Sequence, residues 1–208
     1  MTTDPVMPHS ETTNTPVFRP RIYLAGPEVF HPDAGEIGKA KCRLCADHGL
    51  DGVFPLDIEL TWDGLGQTEH ARRIALANEA LIRSCDAMIA NLTPFRGVSA
   101  DSGTAFEVGF MRALAKPVFG YTNVPASFAS RCRTLRGSSP LPFDCDQPDH
   151  HVEDFDFAEN LMIAVAVTEG GATIISPAAP PASPPRLDDL ATFEYCLSLV
   201  ARHLKPSG

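Results

Sequence analysis

Two carboxylates, Asp101 and Glu107, stand in residues 91–110, NLTPFRGVSADSGTAFEVGF, and their surroundings set the chemistry they can do. Glu107 lies among Phe106, Val108, Gly109 and Phe110, where an ionisable group is expensive unless it is paired or used. On one regular helix, six residues would rotate the two side chains about 240° apart, onto different faces. Ser102 and Gly103 argue instead that Asp101 belongs to a loop, at or just before the helix N-cap. From there it can fold back over the helix start toward Glu107. Carboxylates in unlike surroundings titrate apart and divide the roles of nucleophile and proton donor, as in glycosyl transfer. For an arbitrary D-x5-E pair the ordinary reading is an N-cap Asp plus a surface Glu; the apolar flanks of Glu107 set this pair apart.

The elements that must hold the pair are a strand before the loop and a helix after it. Residues 86–92 are an apolar run of strand length, and Thr93, Pro94, Gly97, Ser99 and Gly103 break regular structure. Residues 103–115 turn helical, with Phe106, Phe110 and Ala113 spaced by four and three. Elsewhere the pattern predicts strands at 21–25, 52–56, 117–121 and 170–175. It predicts helices at 34–48, 69–84, 160–167 and 187–204. Residues 122–154 read as loops with one short helix. Strands alternating with helices imply an α/β fold, a parallel sheet of about five strands covered on both faces. Ligands of such sheets sit beyond the carboxyl ends of the strands. Gly26 and Pro27, Asp57, Asp101, and the run Tyr121, Thr122, Asn123 all fall at those ends.

A net charge of −9 over 208 residues and a pI near 5.2 argue against a nucleic-acid backbone or an anionic membrane as partner. Arg131, Arg133 and Arg136 are the only local basic group and read as a solvated loop face. Residues 1–19 read as a disordered tail without the basic and apolar regions of a signal peptide, and 20–208 as one domain. Residues 177–185 form a Pro-rich spacer. With no apolar run of membrane-spanning length, a cytoplasmic protein with six reduced cysteines is expected. Cys42, Cys45 and His48 raise a zinc or redox site. No second C-x-x-C exists, and the pair falls inside a helical stretch, so ordinary helix cysteines are the expectation.

The chain resembles the nucleoside 2-deoxyribosyltransferases in several pieces. These are Ile22-Tyr-Leu-Ala-Gly-Pro-Glu-Val-Phe30, Phe54-Pro-Leu-Asp57, Asn78, Asn91-Leu-Thr-Pro-Phe-Arg-Gly97, Asp101-Ser-Gly-Thr-Ala-Phe-Glu-Val-Gly109 and Asn160-Leu-Met162. They occur in family order. The resemblance implies a flavodoxin-like three-layer subunit that transfers 2-deoxyribose between nucleobases of 2′-deoxynucleosides by double displacement. It implies Glu107 as the nucleophile holding a covalent deoxyribosyl intermediate, oriented by a hydrogen bond from Tyr23. Asp101 would contact the base and move a proton to and from its ring nitrogen. Gly26, Pro27, Phe30, Asp57 and Asn78 would bind substrate. Asn160 and Met162 would serve the sugar's 5′ end in a neighbouring subunit, making the active unit a homodimer or higher homo-oligomer. No cofactor and no metal are expected. Family members often carry Asp where this chain has Asn78, an amide that both donates and accepts.

On residue type alone each position has a plainer reading. Tyr23 is then a core aromatic with a satisfied hydroxyl, Gly26 and Pro27 a strand end, Asp57 a turn cap. Phe30 packs in the core, Asn78 faces solvent, and Asn160 with Met162 is an ordinary N-x-M. Two rival functions share the fold. One is an N-glycoside hydrolase of deoxynucleosides or nucleoside 5′-monophosphates that uses the same Glu107 and passes the sugar to water. Glu28 in the first loop would repel a phosphate, which favours nucleosides. The other is a catalytically silent nucleotide-binding module, against which the set Tyr23, Asp101 and Glu107 argues.

Overall fold

A computed structural model describes residues 19–55, 64, 66–136, 151–179 and 185–204. The apolar runs form strands β1 (Arg21–Ala25), β2 (Asp51–Val53), β3 (Ala87–Asn91), β4 (Val118–Tyr121) and β5 (Ile174–Ile175). All neighbours pair in parallel, in the order β2-β1-β3-β4-β5. Parallel pairing needs long crossovers, here carried by helices α1 (Ala34–Asp47), α2 (Gln67–Ser84), α3 (Ser102–Ala113), α4 (Phe128–Arg136) and α5 (Leu161–Thr168), while α6 (Ala191–His203) follows the last strand.

Period-two alternation sorts each strand onto two faces. Tyr23, Ala25, Met88 and Ala90 pack against Ile82 of α2, Val108 and Met111 of α3, and Ile163 and Val167 of α5. Ile22, Leu24, Ala87 and Ile89 pack on the opposite side against Cys45 of α1 and Phe193, Leu197 and Val200 of α6. The result is the three-layer α/β arrangement, with the strand order of flavodoxin-like sheets. In that order the chain leaves β1 on one side for β2 and returns on the other for β3, which opens a crevice at the ends of β1 and β3.

Several elements differ from the sequence pattern for local reasons. β2 stops at Val53, two residues before Pro55, which has no N–H to give a ladder. β5 keeps only Ile174 and Ile175, because Gly170 and Gly171 close α5 instead. Their amides donate to the carbonyls of Val167 and Thr168, and Gly171 takes φ +82, a left-handed conformation suited to glycine. α6 starts at Ala191, since the carbonyls of Arg186 and Asp189 are held by Asn123 Nδ2 at 2.8 and 3.0 Å. Arg131 and Arg133 lie on α4 and not on a loop. Arg131 turns inward: its guanidinium donates to the carbonyls of Val98, Ala126 and Ala158 and pairs with buried Glu159 at 3.1 Å. Residues 1–18 of the expected tail 1–19, Asp57, residues 137–150 of the loop stretch 122–154 and residues 180–184 of the spacer 177–185 lie outside the described residues.

Candidate active site

α3 begins where it does because Asp101 caps it. Oδ2 accepts from the amides of Gly103 (3.0 Å) and Thr104 (3.3 Å), two of the donors a helix start leaves open. Glycine at 103 leaves room for this bond, since a Cβ there would stand 2.9 Å from Asp101 Oδ2. Both capping bonds fall on one oxygen, and no donor among the described residues is bonded to Oδ1.

Less than two turns on, Glu107 Oε1 accepts from Tyr23 Oη at 2.6 Å. Tyr23 is fully buried in β1. Burial is the largest influence on Glu107 and pushes its carboxyl from an ordinary 4.5 up to about 7. The Tyr23 hydrogen bond opposes that rise, and the negative charge of Asp101 adds to it. Burial, followed by the Glu107 charge, drives the Tyr23 phenol far above its usual value. Tyr23 therefore stays protonated and acts as a donor.

Asp101 and Glu107 both open onto a cavity of about 280 Å³, whose walls include Gly26, Phe30, Ile74 and Asn78. A second cavity of about 350 Å³ continues from it between α2 and α3, sharing Ile74, Asn78, Gly103 and Glu107. Asn78, on the wall of both cavities, has a buried Oδ1 with no hydrogen-bond partner. Phe30 is half-exposed on the wall and stacks on Phe95, with ring centroids 5.4 Å apart, beneath the Arg96 guanidinium. The pair of carboxylates thus faces an apolar slot with an aromatic wall and one amide.

Of the residues singled out in the sequence, Gly26, Phe30, Asn78, Asp101 and Glu107 come together here, with Tyr23 behind Glu107. Pro27 does not line the cavity. It is buried at the start of a 3-10 turn, Pro27–Phe30, whose entry its fixed φ favours. Asn160 and Met162 are also off the cavity wall. Asn160 caps α5, accepting from the Met162 amide at 3.0 Å and donating to Glu153 Oε1 at 2.9 Å, while Met162 is 72% exposed. Tyr121 and Asn123 turn away, to Glu28 and to the 186–189 backbone. Ile74 was missed as a wall residue because its spacing reads as core stripe. It stands one turn before Asn78 on the same helix face, the signal that would have placed it.

Glu28 is a correction. It is buried in the 3-10 turn, and its Oε1 accepts from Lys41 Nζ (2.6 Å), Asn91 Nδ2 (3.0 Å) and Tyr121 Oη (3.0 Å). Lys41, also buried, lies 4.7 Å from the Phe193 ring centroid. The carboxylate points beneath the strand ends, into room left by Gly26, where a Cβ would be 2.0 Å from Glu28 Oε2. Paired with an ammonium and facing away from the cavity, Glu28 has no means of repelling a phosphate there, and the preference for nucleosides loses that support. Cys42 and Cys45 are reduced thiols on α1; Cys42 Sγ donates to the Gly52 carbonyl at 3.3 Å, and burial pushes the Cys45 thiol up to about 12. Among the described residues no cluster of His, Cys, Asp and Glu could hold a metal ion, and no helix is long and apolar enough to cross a membrane.

Comparison with known proteins adds an independent line. The family profile described as Nucleoside 2-deoxyribosyltransferase matches residues 22–162. An uncharacterized protein of Schizosaccharomyces pombe is 35% identical over 119 residues, and the chain spans 56% of that relative's length. A solved 2-desoxiribosyltransferase from Leishmania mexicana is 33% identical with a TM-score of 0.53, the match covering 69% of this chain and 85% of that one. A 2-deoxyribosyltransferase from Bacillus psychrosaccharolyticus is 24% identical with a TM-score of 0.43, covering 51% and 74%.

Proposed function

The chain belongs to the nucleoside 2-deoxyribosyltransferase family, and from that premise we propose that it moves 2-deoxyribose from one nucleobase to another by double displacement at Glu107. The observation that carries this reading is the bonded Tyr23–Glu107 pair opening, with Asp101, onto one cavity. Tyr23 occupies Oε1 and leaves Oε2 of Glu107 to attack the anomeric carbon. The C1′–O bond forms as the C1′–N bond breaks, and Asp101 passes a proton taken up from solvent to the departing ring nitrogen. The incoming base loses a proton to the Asp101 carboxylate and attacks C1′, releasing Glu107. Phe30 offers a face for the base and Asn78 an amide for its edge, and Gly26 lets the ligand approach the end of β1.

Asn160 and Met162 fit a role in a neighbouring copy's site, since neither lines the cavity of its own chain and Met162 is exposed. The enzyme would then be a homodimer or higher homo-oligomer acting in cytoplasmic nucleoside salvage, without a cofactor. The same ester on Glu107 yields to water when no base fills the slot, so hydrolysis is the second reading. Incubation with a 2′-deoxynucleoside, with and without a second base, separates the two. A new deoxynucleoside in the chromatogram supports transfer. Free base released at one rate with or without acceptor would replace transfer by hydrolysis. A parallel arm with deoxynucleoside 5′-monophosphates decides whether a phosphate is tolerated.

A further inference from the structure

We propose that Glu159 is a positioning residue which ties the loop delivering Asp101 to the first turn of α5, so that one buried carboxylate sets two parts of the site at once. The inference rests on the function proposed above for Asp101. The Glu159 side chain has no exposure to solvent, yet all of its acceptor capacity is engaged. Oε1 takes the Ser99 hydroxyl and the Asn160 amide, and Oε2 takes the Ala100 amide and the Arg131 guanidinium, both at 3.1 Å. Arg131 reinforces the same junction, donating to the carbonyl of Val98 on one side (2.7 Å) and of Ala158 on the other (2.9 Å). Three consecutive loop residues, Val98, Ser99 and Ala100, are therefore gripped immediately before Asp101. The residue after Glu159 is Asn160, the cap of α5.

Neither Glu159 nor Arg131 lines the cavity, so any influence on chemistry passes through the backbone they hold. A buried ion pair is often no more stabilising than apolar packing of the same volume. What it adds here is direction: the bonds from Ser99 and Ala100 fix where Asp101 starts. Asp101 Oδ2 is pinned by the helix amides, and Oδ1 faces its task only if Ala100 stays in place. Displacement of a working group by about 1 Å can cost about 10²-fold in rate.

Two variants of the full chain test this. Ser99→Ala removes one tether and leaves the Arg131–Glu159 pair intact. Glu159→Gln keeps the side-chain size but sets an amide donor against donors already present. The kinetic readout compares an ordinary 2′-deoxynucleoside with 7-methyl-2′-deoxyguanosine, whose cationic base leaves without needing a proton. Ser99→Ala should slow kcat for the ordinary substrate by about 10- to 100-fold and leave the cationic one within about threefold. Equal slowing of both substrates, or of neither, would overturn the positioning role. Amide hydrogen exchange supplies the second readout. Glu159→Gln should speed exchange at both 98–104 and 160–163 while β1 and β3 keep their protection. Loosening of only one segment, or uniform loosening of the sheet in both variants, would overturn the coupling. If the unaltered chain turns over neither substrate, the proposed function fails, and the exchange result still decides whether Glu159 links the two segments.

Discussion

The Tyr23 hydroxyl donates to Glu107 Oε1 at 2.6 Å across 84 residues of sequence. Among the described residues it is the one influence that lowers the Glu107 carboxyl, against the larger upward push of burial and the added push of Asp101. On the proposed mechanism Glu107 attacks as a carboxylate, so the bond would both aim it and favour that form.

The acidic limb of kcat/KM should accordingly rise through about pH 7, well above the ordinary carboxylate value of 4.5. Tyr23→Phe deletes the favouring bond and moves that limb to higher pH. A hydrogen bond to a charged group is worth about 1.5–3 kcal/mol, so the rate on the plateau should fall by about 10- to 100-fold. Initial rates across pH 5–9 check both; a limb that stays in place in the variant rules out Tyr23 as the tuning partner.

Glu107→Gln keeps the hydrogen bond from Tyr23 and removes the titration. Turnover should drop by about 10⁴-fold or more, as for loss of other nucleophiles. Stability moves the opposite way. Between 4.5 and about 7 the folded Glu107 binds more proton than the unfolded one, so folding stability is lost as pH rises through that window. The variant should therefore gain on the order of 1–3 kcal/mol over the unaltered chain at pH 8, with the gap closing below pH 4.5. Urea titrations at the two pH values settle it, and an equal gap at both would remove Glu107 burial as the cause.

Asp101→Asn separates capping from proton transfer. Asn caps helices as well as Asp, and the Gly103 and Thr104 amides keep an acceptor. The melting temperature should hardly move while turnover of deoxynucleosides falls by about 10²- to 10⁴-fold. Retained turnover would take Asp101 out of the chemistry.

Gly26→Ala places a methyl 2.0 Å from Glu28 Oε2 and 2.9 Å from Asn91 Cβ. Overpacking costs about 1–3 kcal/mol, here aimed at a buried ion pair. Denaturant midpoints should drop, whereas Gly35→Ala, whose Cβ meets nothing within 4 Å, should be neutral or slightly stabilising. Similar midpoints for both variants would contradict the close contact.

The layers were legible in the sequence because apolar runs alternate with helix-period stripes, and the Ser102-Gly103 break marks Asp101 as at or just before the N-cap. Glu28 was misread because a 3-10 turn carries no pattern that tells inside from outside. Its partners Lys41, Asn91 and Tyr121 come from three other elements. Arg131 failed similarly: its acceptors are mostly backbone carbonyls, which leave no trace in residue types. Ile74 looks like core in periodicity and is 43% exposed, because periodicity marks an apolar face and not what covers it.

The buried Lys41–Glu28 bond joins α1 to the turn that carries Phe30, so that wall of the cavity is bolted to the sheet, with both charges beyond the reach of dissolved salt. Across the slot, α2 contributes Ile74 and Asn78 yet buries only Ile82 among its own residues, and sparse packing leaves an element free to shift. A ligand entering the slot meets a fixed jaw and a yielding one. Accommodation of larger and smaller guests falls to α2, and substitutions at Ile74 are where the grip can be resized without disturbing the anvil.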